Sequence, residues 1–268
     1  MKSKIRLGLI GKDVSKSSSE KIHKFILGKV DVACEYMRFS VTPADFDGAM
    51  RTLLGDFDGF NVTIPYKRDV FEYLDEIVGD AFTFGAVNTV VSGTRQGYNT
   101  DGIGFLQMLA WANVDVSGKK ALVLGAGGSG RSTASALKSA GASVYMYRRN
   151  KAELEETCAQ LGVTPVVSVE EGGYDIVINC TGVGMHDTEG VSPVGEKTFK
   201  GANVAVDLIY TPKESEFLRI AKKQGLQTLN GASMLFFQAY YADCLFLKRT
   251  ASQTEAIALY EEYITIEE

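Results

Sequence analysis

The chain has 268 residues, enough for one large domain or two of middling size. Its apolar share of 45% and charged share of 23% are those of an ordinary globular protein and exclude disordered and fibrous chains. A formal net charge of -5, with no basic run, argues against sequence-independent nucleic-acid binding.

The first hundred residues alternate between strand and helix periods. IRLGLI (5–10) reads as a buried strand, and 20–27 places Ile22, Phe25 and Ile26 at helical spacing. CEYMRFSV (34–41) alternates as a strand. Thr42-Pro43 then opens a helix through Phe46, Met50 and Leu53, with Gly55 after its end. FDGFNVTI (57–64) is a strand, and Pro65 opens a helix through Val70, Phe71 and Leu74. GAVNTVV (85–91) is a strand that turns at Ser92-Gly93 into RQGYN. A second block begins near residue 104 with a linking helix over 105–112. Its strands fall at 120–124, 143–149, 166–169, 175–181, 203–209 and 226–230, with helices at 129–140, through Leu154 and Leu161, and at 214–224. Both blocks predict α/β layers with mostly parallel sheets, the second a doubly wound, Rossmann-type nucleotide-binding sheet. The domains expected are 1–103 with C-terminal helices over 232–268, and 104–231. Gly102, Gly104 and Gly231 mark the crossings and are expected hinges.

Four cysteines, Cys34, Cys158, Cys180 and Cys244, form no C-x-x-C pair and are too sparse for a disulfide scaffold. Reduced thiols in a cytoplasmic protein are the expectation. With only His23 and His186, no metal site is expected. The N-terminal apolar run is too short for a signal peptide. The stretch 234–247 falls short of the roughly 20 residues of a membrane span, and Gln238 and Asp243 interrupt it, so a buried helix is expected instead.

Gly125-Ala126-Gly127-Gly128-Ser129-Gly130 fits G-x-G-x-x-G between a strand and a helix, the context a dinucleotide site requires. Gly125 permits the tight turn, Gly127 the approach of backbone N–H groups to a pyrophosphate, and the helix N-terminus favours the anion. A glycine turn without a ligand is the alternative. At the end of the next strand, where a carboxylate would hold the ribose of NAD, stand Tyr147-Arg148-Arg149-Asn150-Lys151. Two guanidiniums suit a 2′-phosphate, so NADP is predicted, against a merely solvated basic turn.

A nicotinamide enzyme acting on an alcohol needs a proton acceptor at the hydroxyl. His23, mid-helix, reads as a structural or exposed residue, and His186 as a loop residue. Lys67, after NVTIPY, and Asp101, ending GYNTD, are the candidates. Charged residues at element ends are mostly solvated. What raises these two is the company of Asn61, Thr63, Asn88, Thr89, Asn99 and Thr100 at strand ends, donors and acceptors suited to a polyhydroxy ligand.

NVTIPYK (61–67), GAVNTVV (85–91), GYNTDGIGF (97–105), GAGGSGR (125–131), NCTGVGM (179–185), DLIYTP (207–212) and GASMLFFQA (231–239) stand in an order that resembles the shikimate dehydrogenase family over nearly the whole chain. The resemblance implies two α/β domains with the site in a cleft between them. It implies reversible reduction of 3-dehydroshikimate to shikimate, usually with NADPH, in the chorismate branch of aromatic amino-acid biosynthesis. It makes Lys67 and Asp101 the catalytic pair, with Asn88 and Gln238 at the ring hydroxyls. Ser17, Ser19 and Thr63 would hold the substrate carboxylate, and Tyr210 would assist. It adds Thr181, Met185 and Gly231 to the cofactor set. Gln238, one amide amid apolar residues, needs partners when buried. A substrate hydroxyl or the backbone would serve.

Against the family pattern V-x-H-S-x-S-P-x-x-H-N, residues 14–24 keep Ser17, Ser19 and His23. Lys16 replaces a histidine, Glu20 a proline and Lys24 an asparagine. The usual W-T-G after the last apolar helix is absent. The alternatives to an NADP-dependent shikimate dehydrogenase are a broader quinate/shikimate dehydrogenase and a non-catalytic NADP-binding paralogue. A methylenetetrahydrofolate dehydrogenase/cyclohydrolase would need lysine and tyrosine motifs that are not found. The partner expected is a small molecule, with no nucleic acid and no membrane, on a monomer or homodimer.

Overall fold

The computed structural model describes residues 4–267; positions 1–3 and 268 of the expected substrate block lie outside them. The chain forms two compact units, Met1–Gly104 with Leu235–Glu268, and Phe105–Met234.

The first unit runs β1 (Lys4–Gly11), α1 (Ser19–Gly28), β2 (Ala33–Ser40), α2 (Phe46–Asp56), β3 (Gly59–Val62), β4 (Glu76–Ile77), α3 (Asp80–Phe84), β5 (Thr89–Val91) and β6 (Gln96–Tyr98), into the start of α4 (Asp101–Trp111). The sheet order is β2-β1-β3-β5-β6-β4. β1 is parallel to both neighbours, and β5 is antiparallel to β3 and β6. A strand covered on both faces must be apolar throughout, which explains IRLGLI: Leu7 and Ile10 are fully buried. At Gly8 a Cβ would meet Leu53 Cδ2 at 2.6 Å, so glycine lets α2 lie close on the sheet.

Three local expectations change. No α-helix follows Pro65. Tyr66 is buried, stacks on Phe46 at 4.3 Å and donates to Val41 O at 2.7 Å, while Lys67 O accepts from Val87 N at 2.8 Å. These anchors hold 64–68 as turns, and only a 3-10 turn, Asp69–Tyr73, comes after. α2 starts at Phe46 because Thr42 and Asp45 close a turn on each other (Oγ1 to Oδ2, 2.6 Å), and Gly55 lies inside its last turn. α4 starts four residues before the expected Phe105. Asn99 Oδ1 accepts from Asp101 N at 2.9 Å, satisfying an N–H that a helix start leaves orphaned.

The second unit runs β7 (Lys120–Leu124), α5 (Gly128–Ser139), β8 (Ser143–Tyr147), α6 (Lys151–Leu161), β9 (Thr164–Val166), β10 (Ile176–Asn179), β11 (Val204–Asp207), α7 (Glu216–Lys223) and β12 (Gln227–Asn230). β9 ends where the expected strand 166–169 began. The sheet is wholly parallel, in the order β12-β11-β10-β7-β8-β9. The order reverses between β7 and β10, the switch point at which doubly wound sheets bind ligands. The predicted α/β class with two units, one of them Rossmann-type, is what the structure has.

The chain then enters α8 (Ala232–Phe246) and α9 (Gln253–Glu267). Ala242 and Phe246 pack in one core with Ile5, Leu7, Leu9 and Tyr36. α9 is tied back through Glu255, which accepts from Tyr240 Oη at 2.6 Å and Arg249 Nη2 at 2.7 Å. Gly104 and Gly231 both have negative φ. A Cβ would lie 2.7 Å from Gln238 N at Gly104 and 2.0 Å from Leu208 O at Gly231, so close backbone approach explains these glycines. Among the described residues no helix is long and apolar enough to cross a membrane, and no group of three or more His, Cys, Asp or Glu could hold a metal.

Candidate active site

The turn after β3 presents Lys67, and the first turn of α4 presents Asp101. Lys67 Nζ donates to Asp101 Oδ2 at 2.5 Å, with 14% and 9% of the side chains exposed. The other carboxylate oxygen accepts from Asn88 Nδ2 at 2.7 Å. Asn88, just before β5, is held at its own carbonyl-side oxygen by Thr100 N and Thr89 Oγ1, both at 2.9 Å. Asn88 Nδ2 and Thr100 Oγ1 also reach Gln238 Oε1, at 3.3 and 3.4 Å, and Gln238 Nε2 donates to Leu235 O at 2.9 Å. Gln238 is therefore satisfied partly by backbone and partly by the polar cluster. Lys67, Asn88, Asp101 and Gln238 thus meet in one nearly dry hydrogen-bonded group drawn from four chain segments. Asp101 is fixed on both oxygens, while an ammonium has three protons and gives one of them here. Such a lysine can pass a proton to or from an alkoxide oxygen while the carboxylate holds it in place. Thr89 and Thr100, which the sequence offers only as polar company at strand ends, join the same cluster through Asn88 and Gln238.

Ser17 and Ser19 flank the start of α1. Ser17 Oγ donates to Ser19 Oγ at 3.0 Å and accepts from Ser19 N at 3.2 Å. Thr63, after β3, lies against the end of β1: a Cβ on Gly11 would meet Thr63 Cγ2 at 2.5 Å. The departures at 20 and 24 answer each other. Lys24 Nζ donates to Glu20 Oε1 at 2.8 Å, one helical turn apart, which holds the Glu20 carboxyl below the usual range and raises Lys24. Arg38 adds a contact to Glu20 at 3.4 Å and donates to Ser15 O at 2.5 Å. Lys16 is exposed.

His23 is fully buried, its Nδ1 2.6 Å from Asp243 Oδ1 and its ring stacked 5.1 Å from Tyr36. Burial raises the Asp243 carboxyl, while the His23 partner pulls the other way. The pair couples α1 to α8 and is a structural role for both residues.

In the second unit, Gly125 has φ +102 and its N–H donates to Tyr147 O at 2.9 Å, so the glycine loop leaves β7 beside the end of β8. A Cβ on Gly130 would lie 2.1 Å from Gly125 O, whereas one on Gly127 would meet nothing within 4 Å. The third glycine serves loop packing, and the second faces open space. Ala126 is buried beneath the loop, and α5 starts at Gly128-Ser129-Gly130 with no side-chain cap at its N-terminus. Uncapped N–H groups beside open space fit a pyrophosphate.

Beyond β8, Arg148 pairs with Glu153 of α6, and Asn150 caps that helix. Beyond β10, Thr181 Oγ1 donates to Asn179 Oδ1 at 2.6 Å. Asn179 Nδ2 donates to Asp207 Oδ1 at 3.0 Å, and Ser215 Oγ to Asp207 Oδ2 at 2.5 Å. Asp207 is completely buried, and burial raises its carboxyl against the pull of Ser215, Ile209 and Asn179. This group ties the 181–185 loop, with Met185, to the segment after β11 that carries the partly exposed Tyr210. In the sequence Asn179 and Asp207 stand in expected strands and open the motifs NCTGVGM and DLIYTP, with no role of their own. The signal was a polar residue closing each fully apolar strand.

A family model described as the shikimate dehydrogenase substrate binding domain matches residues 9–90. The chain is 42% identical over 251 residues to a shikimate dehydrogenase (NADP(+)) of Caldanaerobacter subterraneus subsp. tengcongensis, covering 88% of this chain and 89% of that protein. The chain belongs to the shikimate dehydrogenase family. A shikimate dehydrogenase (NADP(+)) of Clostridium botulinum is 39% identical over 243 residues, with coverage of 88% and 93%. The shikimate 5-dehydrogenase of Thermus thermophilus, solved in complex with NADP(H) and shikimate, superimposes with a TM-score of 0.88 at 31% identity, over 96% of this chain and 99% of that one.

Proposed function

We propose that this chain interconverts shikimate and 3-dehydroshikimate with NADP as its cofactor. The observation that carries the reading is Lys67 Nζ bonded to an Asp101 carboxylate that Asn88 fixes on its other side. Bound NADPH supplies the hydride, and NADP⁺ accepts it in the reverse direction. In the reductive direction the Lys67 ammonium gives a proton to the C3 carbonyl oxygen and is left as the amine, and in the oxidative direction that amine takes the proton of the C3 hydroxyl and becomes the ammonium. Asp101 holds Lys67 in place and accepts from a neighbouring substrate hydroxyl. Asn88 and Gln238 pair with ring hydroxyls through the polar atoms they already aim at this cluster. Ser17, Ser19 and Thr63 donate to the substrate carboxylate, and Tyr210 adds a hydroxyl. In the second unit the N–H groups of 125–130 take the pyrophosphate, Arg148 and Arg149 the 2′-phosphate, and Thr181, Met185 and Gly231 line the nicotinamide end. The place of action is the cytoplasm, the compartment that suits four cysteines held as free thiols.

The test is initial rates of NADP⁺ and NAD⁺ reduction, each with shikimate and with quinate. Fast turnover of shikimate with NADP⁺ is expected. A well-folded sample that fails to oxidise shikimate with either cofactor would overturn the reading.

A further inference from the structure

The turn after β8 faces a carboxylate, Glu153, that the NADP reading does not use. Arg148 and Arg149 stand there as two cations, but the Arg148 guanidinium is ion-paired with Glu153, in the first turn of α6. Glu153 Oε1 also accepts from Asn150 Nδ2 at 2.6 Å, and Asn150 Oδ1 accepts from Glu153 N at 3.4 Å. An N-cap asparagine with a glutamate three residues on makes a capping box, in which the glutamate ordinarily reaches back to the cap residue's backbone N–H. Here its carboxylate is turned to Asn150 Nδ2 and Arg148 instead. The turn lies beside the glycine loop, since Gly125 N donates to Tyr147 O at 2.9 Å.

We infer that Glu153 sets the strength of this enzyme's preference for a 2′-phosphorylated cofactor, by occupying the Arg148 guanidinium and placing a negative charge where the phosphate binds. The inference rests on the dinucleotide reading of the second unit. A 2′-phosphate reaching this turn must displace the Glu153 carboxylate from Arg148 or share the guanidinium with it, while Arg149 has no such competitor among the hydrogen bonds and ion pairs of the turn. A cofactor that ends in a plain ribose meets no such repulsion, and its 2′-hydroxyl can donate to the same carboxylate. Glu153 thus weakens NADP and leaves NAD untouched or favoured.

Glu153→Gln separates charge from structure. The amide keeps an oxygen to accept from Asn150 and leaves the helix cap in place, so the melting temperature is expected to stay near that of the parent. The measurement is calorimetric binding of 2′,5′-ADP and 5′-AMP to the full chain, free of turnover. For an exposed ion pair, E153Q is expected to tighten 2′,5′-ADP about two- to fivefold while 5′-AMP changes little. The gain is expected to shrink at high salt. The kcat/KM ratio for NADP⁺ over NAD⁺ rises by the same factor. Equal effects on both nucleotides, no effect, or weaker 2′,5′-ADP binding would overturn the inference while leaving the dinucleotide site standing. Failure of the parent chain to bind either nucleotide would remove the site and the inference with it.

Discussion

Lys67→Ala is the sharpest perturbation of the proposed chemistry, because it alters rate and stability by separable amounts. General acid–base catalysis contributes about 10²- to 10⁴-fold, so kcat is expected to fall by that factor, about 3–5 kcal/mol of barrier. KM for shikimate stays within a few-fold, since Asp101, Asn88 and Gln238 still face the substrate hydroxyls. The same change strands the Asp101 carboxylate. Removing one partner of a fully buried pair costs about 3–5 kcal/mol. Side-chain exposures of 14% and 9% let water take part of the charge, so about 2 kcal/mol is expected here. At this chain length that lowers the melting temperature by about 4–8 °C. The double variant K67A/D101N has no stranded charge and recovers most of the lost stability, yet none of the lost kcat. The assays are thermal melts and initial rates of NADPH formation over a range of shikimate concentrations. A K67A enzyme with kcat within tenfold of the parent and a large rise in KM would refute the proton-transfer role and make Lys67 a binding residue.

Gly127→Ala and Gly130→Ala are expected to part company: G127A, with open space for its Cβ, melts like the parent but has a raised KM for NADP⁺. G130A, with its Cβ 2.1 Å from a carbonyl oxygen, loses at least 1–3 kcal/mol of stability by overpacking, read from urea midpoints. Asn88→Ala leaves Thr100 N and one Asp101 oxygen without their partner, and is expected to cost about 2–3 kcal/mol of stability and to lower kcat as well, since Asp101 is freed on one side. Glu255→Gln probes pH dependence. Burial opposes ionisation of Glu255, but the hydrogen bonds of Tyr240 and Arg249, with the Arg249 charge, outweigh it and hold the carboxyl below the usual range. The folded pKa lies below the unfolded one, so the stabilisation is present above pH 4.5 and is lost as pH falls through the folded value. Urea unfolding is expected to find the parent about 1 kcal/mol more stable than E255Q at pH 6 and no more stable in acid.

The strand–helix alternation could be read from the sequence because fully buried parallel strands are short, continuous apolar runs, and helices between them repeat at three or four residues. β4 and α3 are invisible to that reading: with two and five residues, neither is long enough to repeat its period. The start of α4 was missed because GYNTDG carries every mark of a loop, and only Asn99 folding back onto Asp101 N makes it a helix start. The Lys67–Asp101 contact spans 34 residues, and the contact from Asn88 to Gln238 spans 150. Residue type singled these side chains out, but no local signal joins them. The His23–Asp243 pair is the same case in sharper form: Asp243 read only as an interruption of an apolar helix, and its partner lies 220 residues away. Glu20 and Lys24, by contrast, had their explanation in sight, since opposite charges four apart on a helix pair by default.

The first unit is discontinuous, and this bears on how the protein matures. β1 is synthesised first, yet its core is completed by Ala242 and Phe246, and the Asn88 cluster by Gln238. About 130 residues of nucleotide-binding unit intervene. During synthesis the second unit is made in one uninterrupted stretch and can close on itself, while the first, whose six strands are all made by Tyr98, must wait for α8 to complete its core. Maturation therefore runs against the order of the genetic text. The cofactor half is ready before the half whose first strand left the ribosome earliest, and the reacting lysine gains its finished surroundings only with the arrival of α8.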